Sequence, residues 1–222
     1  MALRAVLFDL DGTLVDTLDD IAEAMNHALA AHDLPIHPPD AYRALVGEGV
    51  GRLVERALPE GRAELHGPVT EALGAYYVEH MLDRSRPYPG VPELLDELVR
   101  RGVPMAVLSN KPDAATRWMV DRILGEWPFA AVAGEGAVPR KPDPGGAIEI
   151  AARVGVDPRE WLYLGDTSTD METAVAAGMF PVGALWGFRG ADELTAHGAR
   201  RLVERPLEVL SILDGRGGGP SG

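Results

Sequence analysis

Four short apolar runs stand out in the pattern of hydrophobic and polar positions along the chain, at residues 5–8, 103–108, 161–164 and 180–185. Their hydrophobicity is continuous rather than alternating, which is typical of strands buried on both faces of a parallel sheet. Between the runs, apolar residues recur at helical spacing over 91–101, 142–154 and 170–177. Strands that alternate with helices of this length predict a Rossmann-like, doubly wound parallel α/β domain.

The segment from residue 16 to residue 86 breaks this alternation. It contains several helical patterns and no convincing strand, and the first helix follows Thr17, which is placed to cap it. Another helix is predicted roughly over 63–82. We therefore expect a helical cap domain at 16–86 inserted after the first strand, a core domain formed by 1–15 and 87–214, and a flexible tail at 215–222. The alternative is that these helices simply cover one face of the sheet.

Carboxylates stand at the ends of two of the apolar runs. Asp9 and Asp11 follow the first run, and Asp166 and Asp170 follow the third. The carboxyl ends of strands are where open α/β sheets bind ligands, and a carboxylate there is costly to desolvate unless a cation or a donor meets it. Gly12 permits a tight turn beside them. This arrangement predicts a site for a hard cation and an anionic substrate.

Other segments contribute candidate donors to the same site. Thr13 offers a hydroxyl and a backbone N–H, and Ser109 and Asn110, at the end of the second run, offer groups that can hold phosphate oxygens. Lys141 precedes Pro142, a residue type that favours the first position of a helix, so we expect its ammonium near a helix start. These donors would bind an anion next to the acidic turns.

A purely structural interpretation is open for several of these residues. Asp170 could favour a helix start, with Thr169 and Glu172 forming a capping box. Ser109 with Asn110 could be a simple turn, and Lys141 could be a solvated surface residue. The structural role of Asp170 at a helix start is compatible with a catalytic role.

The charge balance narrows the choice of partner and cofactor. A net charge of −13 over 222 residues argues against nucleic acid, and the absence of cysteine excludes a thiolate nucleophile and a zinc–thiolate site. Converging carboxylates would repel a phosphate, by about 1 kcal/mol per pair of charges at ~4 Å in water and about 4 kcal/mol at an effective dielectric near 20. A divalent metal together with Lys141 can offset this repulsion. Carboxylate ligands without a His or Cys cluster favour Mg²⁺.

The chain shows no signal peptide and no apolar run near ~18 residues, the length that a membrane span requires. We therefore expect a cytoplasmic protein with no membrane partner. The pattern predicts no particular oligomeric state.

Four segments together resemble the haloacid dehalogenase-like hydrolase superfamily in order and in spacing, at residues 8–17, 88–91, 109–112 and 165–170. The chain is most similar to the phosphoglycolate phosphatase-like branch, which has a helical cap after the first motif. Residues 46–50 and 53–58 look like the cap sequence of that branch. The resemblance covers the chain apart from its glycine-rich tail.

The resemblance implies an Mg²⁺-dependent phosphatase that forms an aspartyl-phosphate. Asp9 would be the nucleophile, and Asp11 would protonate the leaving alcohol and then deprotonate the attacking water. The implied metal ligands are Asp9, Asp11 (through its backbone carbonyl) and Asp166. The implied substrate-binding residues are Thr13, Ser109, Asn110 and Lys141. Asp170 would be a supporting residue that orients Lys141 or a metal-bound water.

The substrate is expected to be a small phosphorylated metabolite, and phosphoglycolate fits the resemblance best. The loop at 47–49 would approach the leaving group, where Arg43, Arg52 and Arg56 are candidate partners for a carboxylate. Glu48 argues against an anionic leaving group at this loop, because its carboxylate would repel an anion unless it turns outward or pairs with an arginine. A sugar-phosphate mutase similar to β-phosphoglucomutase, and a phosphatase for another small metabolite, stay open. Asp11 argues against a dehalogenase.

Overall fold

The structure, a computed structural model, describes residues 2–215 of the chain. From residue 216 onward, the predicted tail lies outside the described residues. The elements up to residue 100 are β1 (Ala5–Phe8), β2 (Val15–Asp16), α1 (Leu18–Ala31), α2 (Tyr42–Leu45), α3 (Gly49–Ala57), α4 (His66–His80), β3 (Arg86–Pro87) and α5 (Val91–Arg100). Those that follow are β4 (Met105–Pro112), α6 (Asp113–Leu124), β5 (Ala131–Glu135), α7 (Gly145–Val154), β6 (Trp161–Gly165), α8 (Ser168–Ala176), β7 (Phe180–Ala184), α9 (Ala191–Ala196), β8 (Arg201–Val203) and α10 (Glu208–Leu213). Short 3₁₀ helices cover Pro39–Ala41, Ala63–Leu65 and Pro158–Glu160.

The main sheet has six strands in the order β5-β4-β1-β6-β7-β8, and every neighbouring pair is parallel. The chain builds β4 and β5 on one side of β1 and then returns to add β6, β7 and β8 on the other. The carboxyl ends of β1, β4 and β6 therefore meet at the point where the strand order reverses, which is where sheets of this kind bind ligands. The predicted doubly wound α/β core is confirmed.

The two faces of the central strands explain why their hydrophobicity is continuous. Val6 and Phe8 of β1 pack into a cluster with apolar residues of α5 and α6, whereas Leu7 packs on the opposite face with residues of α7 and α8. All three side chains are fully buried. Because side chains alternate along a strand, a strand covered by helices on both faces must be apolar at every position.

The residues between β2 and β3 fold into helices that share a hydrophobic cluster of their own. Helices α1 and α4 pack against each other, and Met25, Leu29 and Val54 are among the buried residues of this cluster. Hereafter, residues 18–80 are called the helical segment. Its two connections to the core run antiparallel as a short ribbon in which Asp16 pairs with Arg86. The division into domains at these positions stays a prediction.

Several local features differ from the sequence-based expectations. The helix predicted to begin at Pro142 begins at Gly145, and a cis peptide bond joins Lys141 to Pro142. Thr17 occupies the N-cap position of α1 but makes no capping hydrogen bond, and its buried hydroxyl has no partner. Among residues 2–215, no helix combines the length and the apolar character needed to cross a membrane.

Candidate active site

A cavity of 560 Å³ opens at the carboxyl edge of the sheet, between the core and the helical segment. Asp9 and Asp11 line it after β1, and Ser109, Asn110 and Lys111 line it from the end of β4. These polar groups lie together because β1 and β4 are neighbours in the sheet and both end at the cavity. Residues far apart in the chain thus form one candidate site.

The ammonium of Lys141 lies between two carboxylates. It donates to Asp9 Oδ1 at 2.7 Å and to Asp170 Oδ1 at 2.6 Å. The side chain of Lys141 is 2% exposed and that of Asp170 is 0% exposed, so neither charge is solvated by bulk water. Burial lowers the pKa of Lys141, but the charges of Asp170 and Asp9 outweigh burial and hold this pKa well above its ordinary value. Lys141 is therefore a charged residue of the site rather than a surface lysine.

Asp170 is held by the start of helix α8. The backbone N–H and the hydroxyl of Thr167 donate to Asp170 Oδ2 at 3.0 and 2.7 Å, which completes a capping box. The capping box predicted between Thr169 and Glu172 is therefore wrong by two residues. Asp170 therefore accepts from the helix end with one oxygen and from Lys141 with the other.

Asp166 is enclosed by donors and by glycines. Thr13 Oγ1 donates to Oδ1 at 2.9 Å, and the backbone N–H of Phe188 donates to Oδ2 at 2.8 Å. A Cβ added at Gly12, whose φ is +90°, would lie 2.3 Å from Asp166 Oδ2, and a Cβ at Gly187 would lie 2.3 Å from Asp166 Cβ. Only glycine allows the backbone to approach this carboxylate so closely.

Carboxylate oxygens of Asp9, Asp166 and Asp170 all lie within 4.8 Å of one another, and the three residues are buried. Burial raises the pKa of Asp9 well above its ordinary value, and Lys141 only partly opposes this effect. Burial, with the charge of Asp170, raises the pKa of Asp166 to about 7. One ammonium does not neutralise three carboxylates. The donor set consists of hard oxygen atoms, so these residues fit a divalent cation such as Mg²⁺.

Asp11 lies apart from this acidic group. Its two oxygens accept from Lys111 Nζ at 2.8 and 3.0 Å, and Lys111 also donates to Tyr77 Oη at 2.8 Å. Tyr77 belongs to α4, so this contact joins the helical segment to the core. The carboxylate of Asp11 thus faces the cavity and Lys111, which leaves only its backbone carbonyl for the predicted role as a metal ligand.

The structure shows which groups the side chains of three predicted substrate-binding residues contact. Asn110 binds the backbone of Lys141 through both ends of its amide, at 2.8 and 3.1 Å, and so fixes the loop that carries the lysine. The hydroxyl of Thr13 is fully buried against Asp166. Ser109 lines the cavity and accepts from the N–H of Lys111 at 3.1 Å. Asn110 and Thr13 are therefore positioned to orient other site residues.

The loop predicted to approach the leaving group does reach the cavity, through Gly47 and Gly49. The three arginines proposed as carboxylate partners do not line it. Arg43 donates to a backbone carbonyl at residue 187, Arg52 pairs with Glu55 at 2.6 Å, and Arg56 pairs with Glu48. Glu48 is thus paired with an arginine, which was one of the two expectations for it.

Sequence reasoning missed Lys111, Tyr77 and the backbone of Phe188 as parts of the site. Lys111 directly follows Ser109 and Asn110 in a motif that was recognised in the sequence. A lysine at the end of an apolar strand could have marked it as a site residue. Tyr77 and Phe188 come from segments whose proximity to the sheet edge depends on the tertiary fold. No local pattern marks them.

Known proteins resemble the chain over most of its length. The profile of the haloacid dehalogenase-like hydrolase family matches residues 3–178. The phosphoglycolate phosphatase of Mesorhizobium japonicum is 34% identical over 193 residues, which cover 85% of each chain. The N-acetylmuramic acid 6-phosphate phosphatase of Pseudomonas aeruginosa is 33% identical over 220 residues, which cover 96% of each chain.

A solved structure resembles nearly the whole chain. It is that of a proposed phosphoglycolate phosphatase from Lactobacillus delbrueckii subsp. bulgaricus, which superposes with a TM-score of 0.90 at 28% sequence identity. The superposition covers 96% of this chain and 99% of that chain. The similarity therefore includes the helical segment as well as the sheet.

Proposed function

Because the chain belongs to the haloacid dehalogenase-like hydrolase family, we propose that it is an Mg²⁺-dependent phosphatase that hydrolyses a small phosphomonoester through an aspartyl-phosphate on Asp9. One observation carries the proposal. A carboxylate next to a buried lysine lies at the end of a cavity, within an acidic group suited to a cation. A poor nucleophile becomes effective when cations reduce the repulsion between it and the phosphate.

The first step transfers the phosphoryl group to the protein. An oxygen of Asp9 attacks phosphorus, and the bond between phosphorus and the oxygen of the leaving alcohol breaks. The carboxyl group of Asp11 gives its proton to that oxygen. Lys111 contacts both oxygens of Asp11 and fixes the orientation of this acid.

The second step returns the protein to its starting state. Asp11, now a carboxylate, takes a proton from water as the water oxygen attacks phosphorus. The bond between phosphorus and Asp9 breaks, and inorganic phosphate leaves. Covalent catalysis divides one difficult displacement into two easier ones.

Asp9, Asp166 and the backbone carbonyl of Asp11 would hold Mg²⁺, which supplies positive charge that reduces the repulsion between carboxylate and phosphate. Lys141 adds a second positive charge next to Asp9. Ser109 lines the cavity, where its hydroxyl can bind a phosphoryl oxygen. Asp170, Thr13 and Asn110 keep these groups in place. The residues 16–86 are proposed as the cap that covers this site.

Phosphoglycolate is the first substrate that we propose, since it is the substrate in the names of several relatives that span most of the chain. The test is phosphate release from phosphoglycolate and a panel of other phosphomonoesters in the presence of Mg²⁺, with the Asp9→Asn variant as control. We expect the wild type to release phosphate and the variant to release none. Isomerisation of a sugar phosphate with little phosphate release would instead indicate a mutase.

A further inference from the structure

We infer that the cavity binds the leaving group through apolar contacts, and that the enzyme therefore accepts phosphomonoesters of bulky, apolar alcohols and prefers them to esters of short alcohols. This inference rests on the proposed phosphatase function but departs from the first substrate proposed above, because the leaving group of phosphoglycolate is short and anionic. It concerns the part of the cavity that lies beyond Asp9 and Asp11.

The walls of that part are apolar and come from both sides of the cleft. The helical segment contributes side chains from α1, α3 and α4, and the core contributes side chains from α6. Representative wall residues are Ile21, Leu53, Leu73, Val78 and Trp118. Polar groups are concentrated at the end where the phosphoryl group would bind, so the two ends of the cavity suit the two halves of an amphipathic ester.

The cavity offers little to a charged leaving group. Among its described lining residues, Lys111 is the only lysine or arginine. Lys111 is already engaged by Asp11 and Tyr77. An anionic alcohol would have to displace one of these partners, whereas an apolar one needs only contact with the walls.

Two wall residues are large, apolar and exposed. Val78 on α4 is 64% exposed and Trp118 on α6 is 38% exposed. Single exposed apolar side chains are common on protein surfaces, but these two line the same cavity as the catalytic groups. A ligand that occupies the cavity would cover part of the exposed surface of both, which favours an apolar occupant.

The size of the cavity agrees with a bulky leaving group. Its volume of 560 Å³ lies within the range of about 300–1,000 Å³ that holds drug-sized ligands. An ethyl group would leave most of the walls hydrated. A six-carbon chain would cover several of them.

The test compares hexyl phosphate with ethyl phosphate. Both are esters of primary alcohols, so the chemistry at phosphorus is matched and only the apolar chain differs. We expect kcat/KM to be roughly 10- to 100-fold higher for hexyl phosphate, from partial burial of its four additional methylene groups. Hexylphosphonate should likewise inhibit the enzyme more strongly than ethylphosphonate.

Gly74 provides a variant that fills the cavity. It lies on α4 on the cavity wall, and an added Cβ would meet nothing within 4 Å. Gly74→Leu should therefore reduce the ratio of kcat/KM for hexyl over ethyl phosphate to less than about 3-fold, since the added chain occupies the apolar space. Gly67→Leu is the matched control. It lies on the same helix, has open space around its Cβ and does not line the cavity, so the ratio should stay at the wild-type value.

Equal kcat/KM for the two esters in the wild type would overturn the inference while leaving the phosphatase function intact. A chain-length preference that Gly74→Leu leaves unchanged would overturn it as well. If Gly74→Leu does not fold, the inhibition of the wild type by the two phosphonates is the test. Equal inhibition by hexylphosphonate and ethylphosphonate would then overturn the inference. Release of phosphate from no ester at all would refute the proposed function and this inference with it.

Discussion

The ammonium of Lys111 lies 2.8 and 3.0 Å from the two oxygens of the Asp11 carboxylate. The same ammonium donates to the phenol oxygen of Tyr77, on α4 of the helical segment. Burial raises the pKa of Tyr77 to about 12, so the phenol stays protonated at neutral pH. The proposed general acid is thus held by a buried lysine that also contacts the helical segment.

Replacement of Lys111 by methionine should impair the acid–base step. The apolar chain is kept, but nothing then holds Asp11 in position, and general acid–base catalysis is worth about 10²–10⁴-fold in rate. We expect kcat to fall by roughly 10²-fold for alkyl phosphates and by much less for p-nitrophenyl phosphate, whose leaving group needs little protonation. The measurement is kcat for both substrates. An equal loss for the two would remove the positioning role from Lys111.

The strands at the centre of the sheet were predictable because they are buried on both faces. Residues 5–8 and 161–164 are apolar at every position, and the structure places them side by side as β1 and β6. The edge strands β5 and β8 were not predicted. Each has a strand neighbour on one side only, so short sequences of small or polar residues such as Arg201–Val203 suffice.

The acidic residues of the site were predictable from their positions after apolar runs. The contacts between them were not. Asp11 and Lys111 are 100 residues apart in sequence, and Asp166 meets the N–H of Phe188 only because a later loop folds back onto the sheet edge. Such contacts depend on the direction in which a side chain leaves its strand, which a one-dimensional pattern does not contain.

Removal of Lys141 should destabilise the fold as well as abolish activity. Lys141→Met leaves two buried carboxylates without their shared partner, and breaking a buried ion pair in this way costs about 3–5 kcal/mol. Urea denaturation without Mg²⁺ measures the free energy of unfolding. Arg159→Met is the control, because Arg159 pairs with Asp157 at the surface with side chains 65% and 41% exposed, and such a pair is worth less than about 1 kcal/mol. Similar losses in the two variants would contradict the description of Lys141.

Gly12→Ala should weaken the metal site through Asp166. The added Cβ would overlap Asp166 Oδ2 at 2.3 Å, so the carboxylate must move. Gly61→Ala is a matched control, since Gly61 also has a positive φ, of +82°, but open space around it. We expect the Mg²⁺ concentration for half-maximal activity to rise by roughly 10- to 100-fold in Gly12→Ala only, the range found when the surroundings of metal ligands are disturbed. No difference between the variants would mean that Asp166 is not held in place by this close contact.

Mg²⁺ should stabilise the protein through the acidic group. A ligand present at a hundred times its Kd and bound only to the folded state adds about 2.7 kcal/mol to the free energy of unfolding. Thermal unfolding with and without Mg²⁺ should show this shift in the wild type and lose it in Asp166→Asn, while the surface variant Asp157→Asn keeps it. Chelation by EDTA should stop phosphate release, and Mg²⁺ should restore it. Full activity after thorough chelation would exclude a metal from the reaction.

Asp9→Asn should abolish turnover with little change in fold. The amide is close in size to the carboxylate but cannot accept the phosphoryl group. Circular dichroism checks the fold, and phosphate release from phosphoglycolate or hexyl phosphate checks the activity. Turnover within tenfold of the wild type would exclude Asp9 as the nucleophile.

The covalent step can be observed directly. The wild-type enzyme is mixed with excess substrate and Mg²⁺, quenched in acid within milliseconds and digested, and the phosphorylated peptide is located by mass spectrometry. We predict phosphate on the peptide that contains Asp9, bound as an acyl phosphate that hydroxylamine removes. Phosphate on a different residue, or rapid turnover with no labelled peptide at any quench time, would contradict the transfer of the phosphoryl group to Asp9.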